Sequence, residues 1–208
     1  MASGGLVCYI RTMPTEARIK RVHDVLSARQ PDLRVIFEEL TNAHNASAVL
    51  RTCDAAGVLH VHFISTAGTD FPVNKAISTR ADKWVELHPH RSISDCVASL
   101  QKEGFRVAAT CLDEDAVAYD ALDYTRPTAV IFGNESDGIT SEARTLADVK
   151  IKIPMLGMVQ SLNLSVSVGI ILYEALRQRR AGGSLDRPRL AAEELQALAR
   201  KWLSPDKE

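Results

Sequence analysis

An α/β domain, a parallel sheet with helices on both faces, is the fold this chain predicts, and three observations predict it. Thr128 to Phe132, TAVIF, has no internal polar residue, which suits a strand in the middle of a parallel sheet. Short strand-like runs alternate with helical segments from Leu33 to Ile153, the order that βαβ units produce. The length of 208 residues and a hydrophobic content of 46% suffice for one sizeable core with appended helices.

The elements follow in order. Residues 1–12 have no clear period and read as an extension or tail before Met13. From Pro14 to Arg29, Ala17, Val22, Val25 and Leu26 fall near one side while Arg18, Lys20, Arg21 and Arg29 lie elsewhere. Residues 13–30 are therefore a basic amphipathic helix that stops near Pro31. Leu33 to Phe37 is a strand, and Asn42 to Gly57, alanine-rich and closed by glycine, a helix. Val58 to Ser65 is a short buried strand. Thr66 to Lys83 lacks a period and predicts a long surface loop with some helical turn, of a length that usually carries function. Trp84 to Leu87 is a strand, Ser92 to Lys102 a helix, Phe105 to Cys111 a strand. After the central strand come a helix from Thr140 to Ala147 and a strand from Val149 to Ile153.

Leu164 to Tyr173 alternates like a strand, yet EALRQRR continues it like a helix to Gly182; length and the basic last turn favour helix. Apolar residues surround much of its circumference, more than one core face needs, which suggests a second buried face at a subunit interface. Arg189 to Leu203 is a last amphipathic helix that ends at Pro205. The main domain so defined covers 31–181, with a helical segment over 182–208.

A formal net charge of −1 does not announce a nucleic-acid binder, so any such partner must be held by local basic clusters, in the first helix and in Arg177, Arg179, Arg180, Arg187 and Arg189. Cys8, Cys53, Cys96 and Cys111 lie far apart without a CxxC spacing, which argues against a zinc site or a disulfide framework and suits a reducing cytoplasm. The pairs His60/His62 and His88/His90 could each share a strand face, but with no third ligand at a telling distance no metal is expected. Neither a membrane span nor a signal peptide is read, and the glycine patterns of dinucleotide and ATP loops are missing.

Three constellations carry the chemistry. In HNASAVLRT, Asn45 and Arg51 stand six residues apart, roughly 120° from alignment on a helix; Asn45 also reads as a plain helix cap. Arg51 has an apolar approach that suits a phosphate or a buried carboxylate, or else pairs with Asp54 or Glu135. FGNESDG follows the central strand at its carboxyl end, where open α/β sheets bind ligands; Gly133 lets a ligand approach the backbone and Glu135 supplies charge. IPMLGMVQSLNLS, from Ile153 to Ser165, is a loop too apolar for water, expected to be buried against a ligand, with Ser161 and Asn163 as capping types at its end.

Taken together, NASAVLRTCDAAGV, IFGNESDGIT and IPMLGMVQSLNLSVSVGIILYEALRQR resemble the three ordered motifs of the SPOUT RNA methyltransferases, within them the TrmH type, over about Pro14 to Arg180. The resemblance implies a sheet with a deep C-terminal trefoil knot, S-adenosylmethionine as cofactor, a homodimer packed through the knot helices, and tRNA methylated on the ribose 2′-oxygen of guanosine 18. By matching motifs, Thr110, Gly133, Ile153 and Leu162 correspond to cofactor-site positions. Asn45, Arg51, Glu135, Ser161 and Asn163 match the family's functional polar residues. Arg51 is implied to bind the target phosphate and stabilise the developing oxyanion, while Asn163, Ser161 and Glu135 order the site. Sibling enzymes methylating ribosomal RNA, and a non-catalytic RNA-binding dimer, are the rival readings.

Overall fold

A computed structural model of the chain describes residues 14–66, 68, 70–72, 81–134 and 136–204. Helix α1 (Glu16–Ser27) precedes strand β1 (Leu33–Glu38), helix α2 (Ala43–Ala55) and strand β2 (His60–Ile64). A 3₁₀ turn, Ala81–Lys83, leads to β3 (Glu86–His90), α3 (Ile93–Lys102), β4 (Arg106–Thr110) and the two-residue β5 (Val117–Ala118). Then follow β6 (Thr128–Phe132), α4 (Ser141–Leu146), β7 (Val149–Lys152), α5 (Leu164–Ala181) and α6 (Ala192–Leu203).

Among the described residues the strands form one sheet in the order β3-β2-β1-β6-β4-β7-β5, every pairing parallel. The apolar run TAVIF lies at its centre as β6, buried throughout, with Phe37 opposite Phe132 in register. Side chains alternate across the sheet, so its two faces build separate cores. Val35, Phe37, Val130 and Phe132 pack against α2 and α5 through Leu50 and Leu172. Ile36, Val107 and Ile131 pack against α3 and α4 through Val97, Leu100 and Ala143. A third cluster joins α1 to α6 through Leu26, Leu198 and Trp202, with Trp84 edge-on to Trp202. No helix among the described residues is long and apolar enough to cross a membrane.

The segment after β7 resolves as helix α5. Asn163 caps it, accepting from the Ser165 amide at 2.9 Å, and the apolar alternation that imitated a strand is instead distributed around the helix. Four expectations need correction. The strand placed at Trp84–Leu87 lies two residues later; Pro89 fits because β3 is an edge strand, where a missing donor breaks no ladder bond. Ala17 is exposed, since the apolar contacts of α1 with α6 come from its second half, through Val22 and Leu26. The Ile153–Ser165 loop is not buried within the chain: Leu156 and Met158 are fully exposed, because the loop runs out beyond the strand ends. Most of the functional loop expected over Thr66–Lys83 lies outside the described residues.

The fourth correction concerns the basic clusters. Arg29 is buried, donating to the carbonyls of Asp54 (3.0 Å), Val58 (3.3 Å) and Trp84 (2.9 Å) and to the Asp54 carboxylate, with its guanidinium over Trp202. Carbonyls at the end of α2 make a negative helix terminus that suits a cation. Arg179 is buried too, bonding Asp32 Oδ1 at 2.7 Å and the carbonyls of Tyr124 (2.8 Å), Asp32 (3.1 Å) and Arg126 (3.2 Å). Arg189 pairs with Asp32, and Arg177 with Glu174. Of the expected footprint only Arg180 and Arg187, with Arg18 and Arg21 on α1, remain exposed without an ion pair among the described residues.

Candidate active site at the carboxyl ends of the central strands

The ends of β4, β6 and β7 and the loop before α5 enclose a cavity of about 550 Å³. Thr110, Gly133, Ile153, Ser161, Leu162 and Asn163 all line it. These residues come from four separate stretches of chain, and the parallel sheet brings them together by ending its strands on one side.

Each wall has a local cause. Thr110 closes β4, and its hydroxyl donates to the Ile131 carbonyl of the neighbouring strand at 2.9 Å, which fixes the strand end. Gly133 is required by the chain itself: a Cβ there would lie 1.9 Å from the Gly138 carbonyl carbon. The close approach expected of a ligand is made by this backbone. The amides of Asn134 and Gly138 donate to each other's carbonyls, at 3.1 and 3.2 Å. The Asn134 side chain accepts from the amides of Ser136 (2.9 Å) and Asp137 (2.7 Å), a turn chemistry special to Asn and Asp. Glu135 itself lies outside the described residues.

Glu38, buried at the end of β1, accepts from the Thr140 amide at 2.8 Å and from its hydroxyl at 2.6 Å. It anchors the return of the Gly133 loop into α4. Nothing in the local pattern around Glu38 marks that role, because its partner is about a hundred residues away. On the rim, Asp113 accepts a 2.9 Å ion pair from Lys150, and that bond holds its carboxyl below the usual carboxylate range. Burial raises the Cys111 thiol beside it.

Asn45 is not the helix cap. Asn42 is, accepting from the amides of His44 (2.9 Å) and Asn45 (3.2 Å), and Asn45 sits buried in the first turn of α2. There its side-chain oxygen accepts from Asn163 Nδ2 at 3.5 Å, a contact that ties the start of α2 to the start of α5. Arg51, on another side of α2, does not line the cavity. It lines a separate depression with Ala48, Asp54, Trp84 and Tyr173, and Asp54 is paired with Arg29 instead. The structure thus gathers Thr110, Gly133, Ile153, Ser161, Leu162, Asn163 and Asn45 and leaves Arg51 apart. Asn42, Glu38, Asn134 and Tyr173 were missed by the sequence reading; only Asn42, three residues before Asn45 and ahead of an alanine-rich run, left a capping signal.

Fold and cavity define an α/β protein that holds a ligand of small-molecule size against the carboxyl edge of a parallel sheet. The chain belongs to the SpoU rRNA Methylase family, whose pattern matches residues 32–173. It is 50% identical over 189 residues to the tRNA (guanosine(18)-2′-O)-methyltransferase of Thermus thermophilus, covering 91% of this chain and 97% of that one. The crystal structure of the Aquifex aeolicus TrmH/SpoU tRNA modifying enzyme superposes with a TM-score of 0.86 at 42% identity, over 90% of this chain and 95% of that one. The SpoU methyltransferase AviRb from Streptomyces viridochromogenes in complex with the cofactor AdoMet superposes with a TM-score of 0.64 at 27% identity, over 74% and 63% of the two chains.

Proposed function

We propose that this chain transfers a methyl group from S-adenosylmethionine to the ribose 2′-oxygen of guanosine 18 in the D-loop of tRNA. The observation that carries this reading is the convergence of Thr110, Gly133, Ile153, Ser161, Leu162 and Asn163 on one cavity, in a chain half identical to a methyltransferase of that name. The cavity fits the cofactor: about 550 Å³ is within the range of small-ligand sites, and strand-end backbone supplies donors and acceptors for an adenine and a ribose. The cofactor-bound relative supports the same choice.

When bound, S-adenosylmethionine would supply a sulfonium methyl group, whose carbon the ribose 2′-oxygen would attack, the new C–O bond forming as the C–S bond breaks, S-adenosylhomocysteine leaving and the hydroxyl proton passing to phosphate or solvent. Arg51 binds the phosphate of the target nucleotide and stabilises the negative charge growing on the attacking oxygen. It is not the base, since a guanidinium does not deprotonate in a protein. Asn163 holds the mouth of the cavity through Asn45, on the same helix as Arg51. Ser161 orders the loop, and Glu135 anchors the site or its partner.

The enzyme acts as a cytoplasmic homodimer packed through α5. Leu156, Met158, Val159, Val166 and Tyr173 are exposed around the start of that helix and its preceding loop, more apolar surface than water tolerates well. Tyr173 also borders the Arg51 depression, so a second copy seated there sets Arg51 against a cavity from which its own chain holds it apart. In this reading the segment 153–163 is the threaded crossing of a trefoil knot, which the place of β7 between β4 and β5 and the packing of α5 against α2 support.

The test is incubation with tritiated S-adenosylmethionine and, in parallel, ribosomal RNA and tRNA transcripts carrying guanosine or adenosine at position 18, followed by mapping of the labelled nucleotide. Label on the ribose of guanosine 18 alone is expected. Label confined to ribosomal RNA or to another tRNA nucleotide overturns the target, and absence of label from every RNA overturns the reaction.

A further inference from the structure

At the edge of the sheet far from the cavity, β2 and β3 align four histidines on one face. His60 Nδ1 lies 3.0 Å from His88 Nε2, and His62 Nδ1 lies 2.9 Å from His90 Nε2. His88 stacks on His62, with ring centroids 4.7 Å apart. Cys96, on the first turn of α3, closes the end of this ladder: a ring nitrogen each of His62 and His90 and the Cys96 sulfur all lie within 4.8 Å of one another. The third ligand that the sequence lacks at any telling spacing is therefore supplied in space, by a helix crossing the sheet.

The second observation is an unmet need. His62 is only 5% exposed, and its Nε2 is buried with no hydrogen-bond partner. A neutral imidazole carries one N–H and one lone pair, and with Nδ1 engaged by His90 whichever function falls on Nε2 is left unsatisfied. A buried polar group left so is normally rescued by a water or an ion. A cation is the ligand that two imidazoles and a thiol suit best.

We propose that His62, His90 and Cys96 form a binding site for a zinc-class cation that clamps the edge strand β3 and its neighbour β2 to α3. Imidazole and thiolate ligands together select zinc over magnesium or calcium, which prefer oxygen. Zinc–nitrogen bonds of about 2.0–2.1 Å at tetrahedral angles place ligand nitrogens roughly 3.4 Å apart. The three ligand atoms, now within 4.8 Å of one another, draw in to that spacing as the cation binds. One proton leaves the thiol as the cation binds. The fourth position is open to water on the side of half-exposed His90, which is the way in. The site spans β2 and β3, and β1 separates it from β6 at the cavity, so its role is structural.

The experiment uses the full chain, stripped with chelator and then titrated with zinc by calorimetry and with cobalt by absorption. Wild type is expected to take one equivalent, to show a thiolate-to-cobalt charge-transfer band, and to gain roughly 5–10 °C in Tm when zinc is about a hundredfold above Kd. Cys96→Ser is expected to lose the band. His90→Gln, at the accessible edge, keeps its circular dichroism and loses zinc affinity by on the order of 10–100-fold. No uptake by wild type, or a cobalt spectrum that Cys96→Ser leaves unchanged, overturns the site.

Discussion

Gly133 shows how little freedom a single position can have: the Gly138 backbone occupies the place a side chain would take. Gly133→Ala must push the Gly138 backbone away from β6, and about 2–3 kcal/mol of stability should be lost, comparable to overpacking a core. Thermal unfolding checks it; a variant as stable as wild type contradicts the crowding. At Arg51 the issue is charge geometry. Arg51→Lys keeps the charge and removes the two-pronged donor, so the methylation rate should fall about a hundredfold while calorimetry finds cofactor affinity unchanged. A near wild-type rate argues against recognition by the guanidinium fork. Cys53 tests burial: desolvation pushes its thiol up to about 12, so alkylation at pH 8 should spare it in the folded chain and reach it on unfolding. Peptide-level mass spectrometry separates the two.

At the scale of elements, α5 is pinned at both ends. Its start is held by Asn163, which caps the helix and reaches Asn45; its end is held by Arg179, bonded to Asp32 and three carbonyl groups at the amino-terminal edge of the sheet. Asn163→Ala should cost about 1 kcal/mol, the usual worth of a cap, and loosen the cavity mouth, which weaker cofactor binding in calorimetry would register. Arg179→Ala strands part of the Asp32 carboxylate and three carbonyl groups, and should cost about 3–5 kcal/mol in denaturant unfolding. A loss below 1 kcal/mol would show that Arg189 alone satisfies Asp32. The helical reading of α5 was legible from its length and basic last turn, whereas β5 and the 3₁₀ turn that follows it, Tyr119–Ala121, are too short to leave any period. Arg29 and Arg179 could not be recognised as buried, because their partners come from segments 25 to 147 residues away.

For the whole molecule, the exposed loop and α5 surface are where the proposed dimer is tested. Met158→Glu should shift the chain toward monomer in analytical ultracentrifugation and reduce methylation with it, since Arg51 does not line its own chain's cavity; a dimer that survives this charge sends the interface elsewhere. By itself the sequence determined the α/β class, the central strand and the helix order, because periodicity, capping and strand composition act over a few neighbours, while six of the cavity-lining residues were legible only through the resemblance of its motifs to those of a known family. Only the tertiary structure decided which charges are buried, that Asn45 and Asn163 meet while Arg51 stands apart, and that Cys96 joins the histidines of another strand pair. These depend on where the sheet and its crossovers bring distant segments, and no local spacing encodes that.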